Sequence, residues 1–239
     1  NNKYMISIKE AHKIFIEHLT KQNKSSATLI AYNKDIEQLT KHLENEGLIL
    51  VTEIQTVHLE VFMKNLAEKK YTPKSISRKT NATKTYFKFL KENNHIVDNV
   101  SSNLRHPKID SRSPRILSKM EYMALRDASK HEFRSYAMIE TLLQTGITIS
   151  ELAEMELSHL EFEKNEGTLF VPKKNNKAAR DIPLNKVIVE TLKKYIYTER
   201  PDVENSKYVF ITKSGSPILI RNIRSTIDRF FESAGIKNA

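Results

Sequence analysis

The residues of this chain that are best suited to chemistry are its cations. The 239-residue sequence carries 39 Lys and Arg against 29 Asp and Glu, a net charge of +10. Residues 71–115 hold ten of the cations and three acids, so seven of the ten excess charges fall in this segment. A solvated surface usually mixes both signs, whereas a one-signed stretch attracts a polyanion. The charge pattern therefore predicts contact with a phosphate backbone.

The sequence indicates neither a cysteine-based site nor a metal site. The sequence contains no cysteine, which excludes disulfides, thiolate nucleophiles and thiolate-based zinc sites. Its eight histidines are scattered without the spacing of metal ligands. There is no apolar run of 18 residues and no signal-type segment. We therefore expect a cytoplasmic protein without membrane contact, metal or other cofactor.

A helix that starts at Thr72-Pro73, with proline in the first turn, would position the basic segment. At 100° per residue, one side of it collects the mostly apolar residues Ile76, Thr83, Tyr86, Phe87 and Leu90. We expect phosphates and groove edges to be contacted by Lys74, Ser75, Arg78, Lys79, Asn81 and Lys88 of this helix and by Ser25, Thr28 and Tyr32 of an earlier one. Lys79 is included although it falls on the apolar side.

The first hundred residues predict four helices, which we assign to one N-terminal domain, 1–100. The helices are expected over 6–19, from Ser25 to Gly47, over 57–66 and from Thr72 onward. Residues 101–118 then contain two prolines, five serines and four basic residues without helical period, which indicates a linker over 101–117. Such a linker can follow a nucleic-acid backbone, or it can be a tether that touches nothing.

Residues 118–239 mix helices with short strands. A capping box, Ser118 to Glu121, opens one helix, and Gly146 ends the next. Strands are predicted over 160–162, 168–171, 178–182 and 208–211, the first three as an antiparallel meander ended by Pro183, with further helices over 187–196 and 220–231. The fold class expected is mainly α with a small antiparallel sheet (α+β).

The predicted last helix opens with a second group of cations. Arg221, Asn222 and Arg224 follow Pro217, and backbone N–H groups at a helix start favour a phosphate. We expect these three residues to contact a phosphate backbone, with ordinary surface charge as the alternative.

Three segments in order resemble the tyrosine recombinases, the phage integrase family. Residues 145–152, TGITISEL, resemble its first catalytic box, with Thr148 where the family has arginine. Residues 26–35, SATLIAYNKD, resemble a helix of its DNA-binding domain, and residues 173–183, KKNNKAARDIP, its lysine hairpin. The resemblance, of Xer type, covers nearly the whole chain. It implies a four-helix SAM-like core-binding domain followed by a catalytic-type domain over 118–239.

The resemblance also implies roles for individual residues. The missing arginine would clamp the scissile phosphate, and Thr148 offers one neutral hydrogen bond instead. Glu151 matches the acidic residue that orients the site. Lys174 best matches the lysine that protonates the leaving oxygen, with Lys173 as its rival and Lys177 as a weaker one. The alternative for all three lysines is an exposed turn rich in Lys and Asn.

We therefore expect a DNA-binding member of this family that clamps duplex DNA in site-specific recombination or integration. The sequence stops before the family's His/Arg box and nucleophilic tyrosine, which favours an incomplete recombinase, and with Thr148 predicts deficient cleavage. The expected partners are double-stranded DNA and, in a full-length form, further copies of the protein up to a tetramer. The alternatives are a natural non-catalytic module that occupies sites or blocks partners, and a basic scaffold or RNA binder.

Overall fold

The chain forms two compact units, Asn1–Arg112 and Ser113–Ala239. The computed structural model describes residues 6–22, 24–109, 115–174, 177–203 and 205–237. The described part is mainly helical with one small antiparallel sheet, so the predicted fold class is confirmed. Every helix within these ranges is too short or too polar to cross a bilayer.

Within the described ranges, the N-terminal unit contains four α-helices. They are α1 (Ile8–Lys21), α2 (Ser26–Asn45), α3 (Thr56–Glu68) and α4 (Pro73–Glu92). The hydroxyls of Ser7, Ser25 and Thr72 cap α1, α2 and α4 by accepting a backbone N–H three residues on. Phe15 of α1 packs edge-to-face against Tyr86 of α4 at 5.2 Å between ring centroids and against Tyr32 of α2 at 6.0 Å. These contacts join three helices around one core.

Helix α4 has the two faces that its sequence predicts, with one correction. Its five predicted inward residues are all buried. Lys79, expected on the phosphate surface, is buried as well, with 7% of its side chain exposed. Lys79 is buried because it lies on the apolar side of the helix, and the buried carboxylate of Asp35 compensates its charge. Lys79 therefore leaves the set of exposed candidates.

The predicted linker begins inside the N-terminal unit. Ser101 is fully buried, and Leu104 belongs to the same apolar cluster as the four helices. The extended segment thus starts after Leu104, not at Ser101. The polar composition of residues 101–118 did not indicate this later start. A single apolar side chain after a turn is enough to hold the chain to the core. Residues 110–114 of the predicted linker lie outside the described residues.

The C-terminal unit surrounds a three-stranded sheet with helices. The helices are α5 (Lys119–Ser129), α6 (Phe133–Thr145), α7 (Ile149–Ala153), α8 (Lys186–Lys194) and α9 (Ile220–Ser233). The strands are β1 (Leu160–Phe162), β2 (Gly167–Val171) and β3 (Arg180–Leu184), antiparallel in the order β1-β2-β3. The predicted strand over 208–211 forms only isolated bridges, at Tyr208 and Ile211.

Strand β3 differs from its prediction at both ends. It begins at Arg180 instead of residue 178, and Pro183 lies within it, opposite Thr168 of β2. Proline lacks a backbone N–H, but β3 is an edge strand, where one donor can be spared. The shift matters for the site, because it places Arg180 on the same face of the strand as Ile182 and the buried Leu184.

Candidate functional site

The segment 145–152 folds as a helix end, a sharp turn and a new helix start. Gly146 ends α6 in the left-handed conformation, with φ 64°, which a residue without a side chain adopts at least cost. Ile147 and Leu152 are buried and fix the segment to the core. Thr148, between them, is exposed and extended, and it is the N-cap of α7. The position that would hold a phosphate-clamping arginine is thus a helix cap.

Thr148 and Glu151 form a reciprocal capping box. The Thr148 hydroxyl accepts the Glu151 backbone N–H at 3.3 Å, and the Glu151 carboxylate accepts the Thr148 backbone N–H at 2.7 Å. The same hydroxyl donates to Oε2 of Glu151 at 2.9 Å. The Thr148 hydroxyl therefore acts both as a donor and as an acceptor toward Glu151, within the first turn of α7.

Arg180 of β3 is the second partner of Glu151. Its Nη1 donates to Oε1 at 2.9 Å and its Nη2 to Oε2 at 3.2 Å, a bidentate contact. This guanidinium, with help from the Thr148 N–H and hydroxyl, lowers the pKa of Glu151 from 4.5 to about 2. The Glu151 side chain is 7% exposed, whereas that of Arg180 is 36% exposed. Arg180 thus forms the solvent-facing layer of the pair.

The hairpin lysines line a cavity beside this pair. The cavity, of about 320 Å³, is bounded by Glu151, Glu154, Lys173, Lys174 and apolar side chains of β2 and its surroundings. Lys174 Nζ lies 2.6 Å from Oε1 of Glu154, an ion pair whose side chains are 37% and 59% exposed. Such a pair opens easily in water, so the Lys174 ammonium is available to an incoming anion. The structure therefore brings Glu151, Lys173 and Lys174 together, next to Thr148.

Four of the nine candidates of the N-terminal unit meet in a groove between α2 and α4. Thr28 and Tyr32 of α2 and Arg78 and Asn81 of α4 line a volume of about 460 Å³, together with Asp35 and three alanines. Ser25 is occupied as the N-cap of α2, and Ser75 accepts a hydrogen bond from Thr72. On the outer part of α4, Lys74 and Lys88 are exposed.

Asp35 organises the cations of this groove. Its side chain is 2% exposed, receives Lys79 Nζ at 2.8 Å and also binds Nη1 of Arg78. Lys79 is buried, but the Arg78 side chain is 52% exposed, so one end of its guanidinium is held while the rest faces solvent. The arrangement presents a preoriented arginine at the rim of the groove.

Arg221, Asn222 and Arg224 are exposed on the first two turns of α9, around the buried Ile223. Among the described residues, neither arginine lies within ion-pair distance of a carboxylate. Uncompensated cations of this kind are suited to phosphate contacts. In the same part of the chain, no three His, Asp or Glu side chains converge as metal ligands would.

Sequence reasoning did not predict the contacts that Asp35 and Arg180 make with the candidate residues. Asp35 was visible only as part of the segment 26–35, because its burial follows from the packing of α2 on α4. Arg180 carried a signal, since it alternates with Ile182 and Leu184 and so shares their inward face. The predicted strand start at 178 did not reveal that this face points at Glu151.

Comparisons with known proteins identify the family of both units. Residues 113–239 match the model of the phage integrase family, and residues 13–94 match that of the phage integrase N-terminal SAM-like domain. The tyrosine recombinase XerC of Natranaerobius thermophilus is 30% identical over 231 residues, covering 91% of this chain and 76% of that protein. XerC of Bacillus subtilis is 26% identical over 240 residues, covering 96% and 78%.

Solved structures share the fold at lower identity. A lambda integrase dimer bound to a COC′ core site superposes with a TM-score of 0.78 at 17% identity, covering 98% of this chain and 65% of that one. The XerH recombinase bound to its difH substrate gives a TM-score of 0.71 at 16% identity, covering 98% and 69%. The chain thus spans about two thirds of these proteins.

Proposed function

Because this chain belongs to the phage integrase family of tyrosine recombinases, we propose that it binds duplex DNA and acts in site-specific recombination or integration. Its relatives are named tyrosine recombinases, and the similar lambda integrase and XerH structures are complexes with DNA sites. The observation in this chain that carries the proposal is the groove between α2 and α4, where Arg78 and Asn81 lie beside Tyr32. Arginine and asparagine are residues that read base edges in a major groove.

Both units contribute cations to the proposed complex. In the N-terminal unit, Lys74 and Lys88 flank the groove on α4 and would bind the backbone beside the bases that Arg78 and Asn81 read. In the C-terminal unit, Lys173, Lys174, Arg221 and Arg224 supply positive charge. A single duplex that binds the cations of both units would be clamped by the two domains and the basic linker that joins them.

We also propose that cleavage by this chain is weak. The Thr148 hydroxyl is engaged with Glu151 in both directions, so it offers no free donor for a phosphate in this arrangement. A neutral hydroxyl also cannot supply the charge with which a guanidinium stabilises a phosphoryl transition state. The second candidate function, a non-catalytic module that occupies recombination sites, is favoured by this same observation.

The relatives support a proposal on assembly and location. Lambda integrase is found as a dimer on a core site and as a tetramer on a Holliday junction. We propose that this protein also self-associates on DNA, in the cytoplasm of a bacterial cell, where such DNA lies.

The proposed function predicts steep salt dependence of DNA binding. If about six phosphates are neutralised, the logarithm of affinity for a 30-base-pair duplex should fall with log salt with a slope of about −5 or steeper, because bound counterions are released. Fluorescence anisotropy over a salt series measures this slope. A nearly flat response would contradict binding by both sets of cations.

A matched pair of lysines locates the contact. Lys74→Gln should flatten the slope by about one, because one phosphate contact is lost. Lys13→Gln, which removes an exposed lysine of α1 outside the groove, should leave the slope unchanged. Equal effects of the two variants would mean that overall charge, and not this surface, determines binding.

A further inference from the structure

We propose that Arg180 is the phosphate-binding guanidinium of the C-terminal unit, in place of the arginine that residue 148 lacks. This inference rests on the proposed DNA-binding function and identifies a residue to which neither the family matches nor the motif comparison assigns a role. The ligand is one phosphodiester of the bound duplex.

Arg180 and Thr148 contact the same carboxylate oxygen of Glu151. Oε2 of Glu151 accepts hydrogen bonds from the Thr148 N–H, the Thr148 hydroxyl and Nη2 of Arg180. Arg180 reaches this oxygen from β3, whereas Thr148 reaches it from the start of α7. A guanidinium is thus present beside the exposed Thr148 even though the α7 segment does not supply one.

Arg180 retains the donors that a phosphate needs. A guanidinium has five N–H groups, and the contact with Glu151 uses one on Nη1 and one on Nη2. Within the described part of the chain, Nε and the two remaining N–H groups have no hydrogen-bond partner. Nε and Nη2 can therefore form a side-on fork toward a second anion. With 36% of the side chain exposed over a carboxylate that is 7% exposed, a ligand from solvent meets the guanidinium first.

Glu151 acts as the positioning residue for this fork. The bidentate contact of Glu151 fixes the plane of the Arg180 guanidinium. The low pKa of Glu151 keeps its carboxylate ionised, so this contact persists at all physiological pH values. The net charge of the pair is zero, and attraction of the phosphate depends on Lys173 and Lys174, which line the adjacent cavity. The pair therefore favours oriented binding, and its neutralised charge is consistent with weak cleavage.

A phosphate scan on a bound duplex tests the proposal. A duplex is first selected from a random-sequence pool by binding to the unaltered chain, and single phosphates are then replaced by neutral methylphosphonates. With the unaltered chain, we expect about a tenfold or larger loss of affinity at the phosphate that Arg180 contacts, because a charge-assisted hydrogen-bonded pair is removed. In Arg180→Gln this loss should disappear at that phosphate and persist at the others.

Arg229→Gln is the matched control. Arg229 of α9 also contacts a glutamate, with Nη2 2.6 Å from Oε2 of Glu132, but that glutamate does not line the cavity, whereas Glu151 does. The control should keep the profile of the unaltered chain. The double variant Thr148→Arg/Arg180→Gln should recover sensitivity at the same phosphate, because the new side chain starts from the other partner of Glu151. A purely structural Arg180 would give no such recovery.

The outcomes separate the two proposals. If Arg180→Gln fails to fold, Arg180→Lys retains a cation for Glu151 but not the fork, and it should show a reduced loss at the same phosphate. Identical profiles for the Arg180 variants and the unaltered chain would overturn the role of Arg180 while leaving DNA binding intact. Absence of any selected duplex would overturn the proposed function and this inference with it.

Discussion

Replacing Asp35 with alanine is expected to destabilise the N-terminal unit by about 3–5 kcal/mol, because it leaves the buried ammonium of Lys79 without a counter-ion. Asp35 and Lys79 side chains are 2% and 7% exposed, so water cannot replace the lost partner without opening the core. Hydrogen exchange of the full chain, followed by mass spectrometry of peptides from α2 and α4, measures the loss in the unit where it occurs.

Two further variants identify the cause. Glu37→Ala removes an exposed carboxylate from the same helix, where it pairs with Lys41, and should have little effect. Asp35→Ala/Lys79→Met should recover much of the lost stability, because no unpaired charge remains in the core. If the double variant is as unstable as Asp35→Ala, the instability comes from lost packing and the ion-pair explanation is wrong.

Replacing Glu151 with glutamine is expected to lower the stability of the C-terminal unit by about 2 kcal/mol near neutral pH, because charge-assisted hydrogen bonds from Arg180 and Thr148 are lost. The difference should depend on pH. The pKa of Glu151 is lowered from 4.5 to about 2 in the folded chain. Its ionised form therefore stabilises the fold fully above pH 4.5, and this contribution disappears as the pH falls through about 2.

Urea unfolding at several pH values between 2 and 7 measures this effect. The difference between the unaltered chain and Glu151→Gln should shrink steadily below pH 4.5. Glu154→Gln is the control, because Glu154 is exposed and its contact with Lys174 is open to water. It should change stability little at any pH. A Glu151→Gln difference that stays constant from pH 7 to pH 2 would contradict the ionic role of Glu151.

Local signals allowed much of the fold to be predicted from sequence. The caps at Ser25, Thr72 and Ser118 and the stop at Gly146 are set by side-chain and backbone chemistry within a few residues. The inward face of α4 follows from helical period alone. The errors have tertiary causes: Leu104 is held by a distant core, and Pro183 is tolerated because β3 lies at a sheet edge.

The residues of the candidate site could be predicted from the sequence, but the contacts between them could not. Thr148, Glu151, Lys173 and Lys174 could be proposed because a family resemblance marks their positions. That Thr148 caps α7 could also be read from the capping-box pattern of Thr148 and Glu151, three residues apart. The bidentate contact of Glu151 with Arg180 spans 29 residues and depends on the register of β3, which no local pattern determines.

We propose that this chain holds DNA without cutting it efficiently. A duplex carrying its selected site, with a nick placed to trap cleavage, tests both parts in one incubation. We expect a complex that is stable in low salt and dissociates fully in denaturing detergent, with no covalent 3′-phosphotyrosine adduct. A detergent-resistant adduct would contradict the interpretation of Thr148, and failure to form any complex at low salt would contradict DNA binding itself.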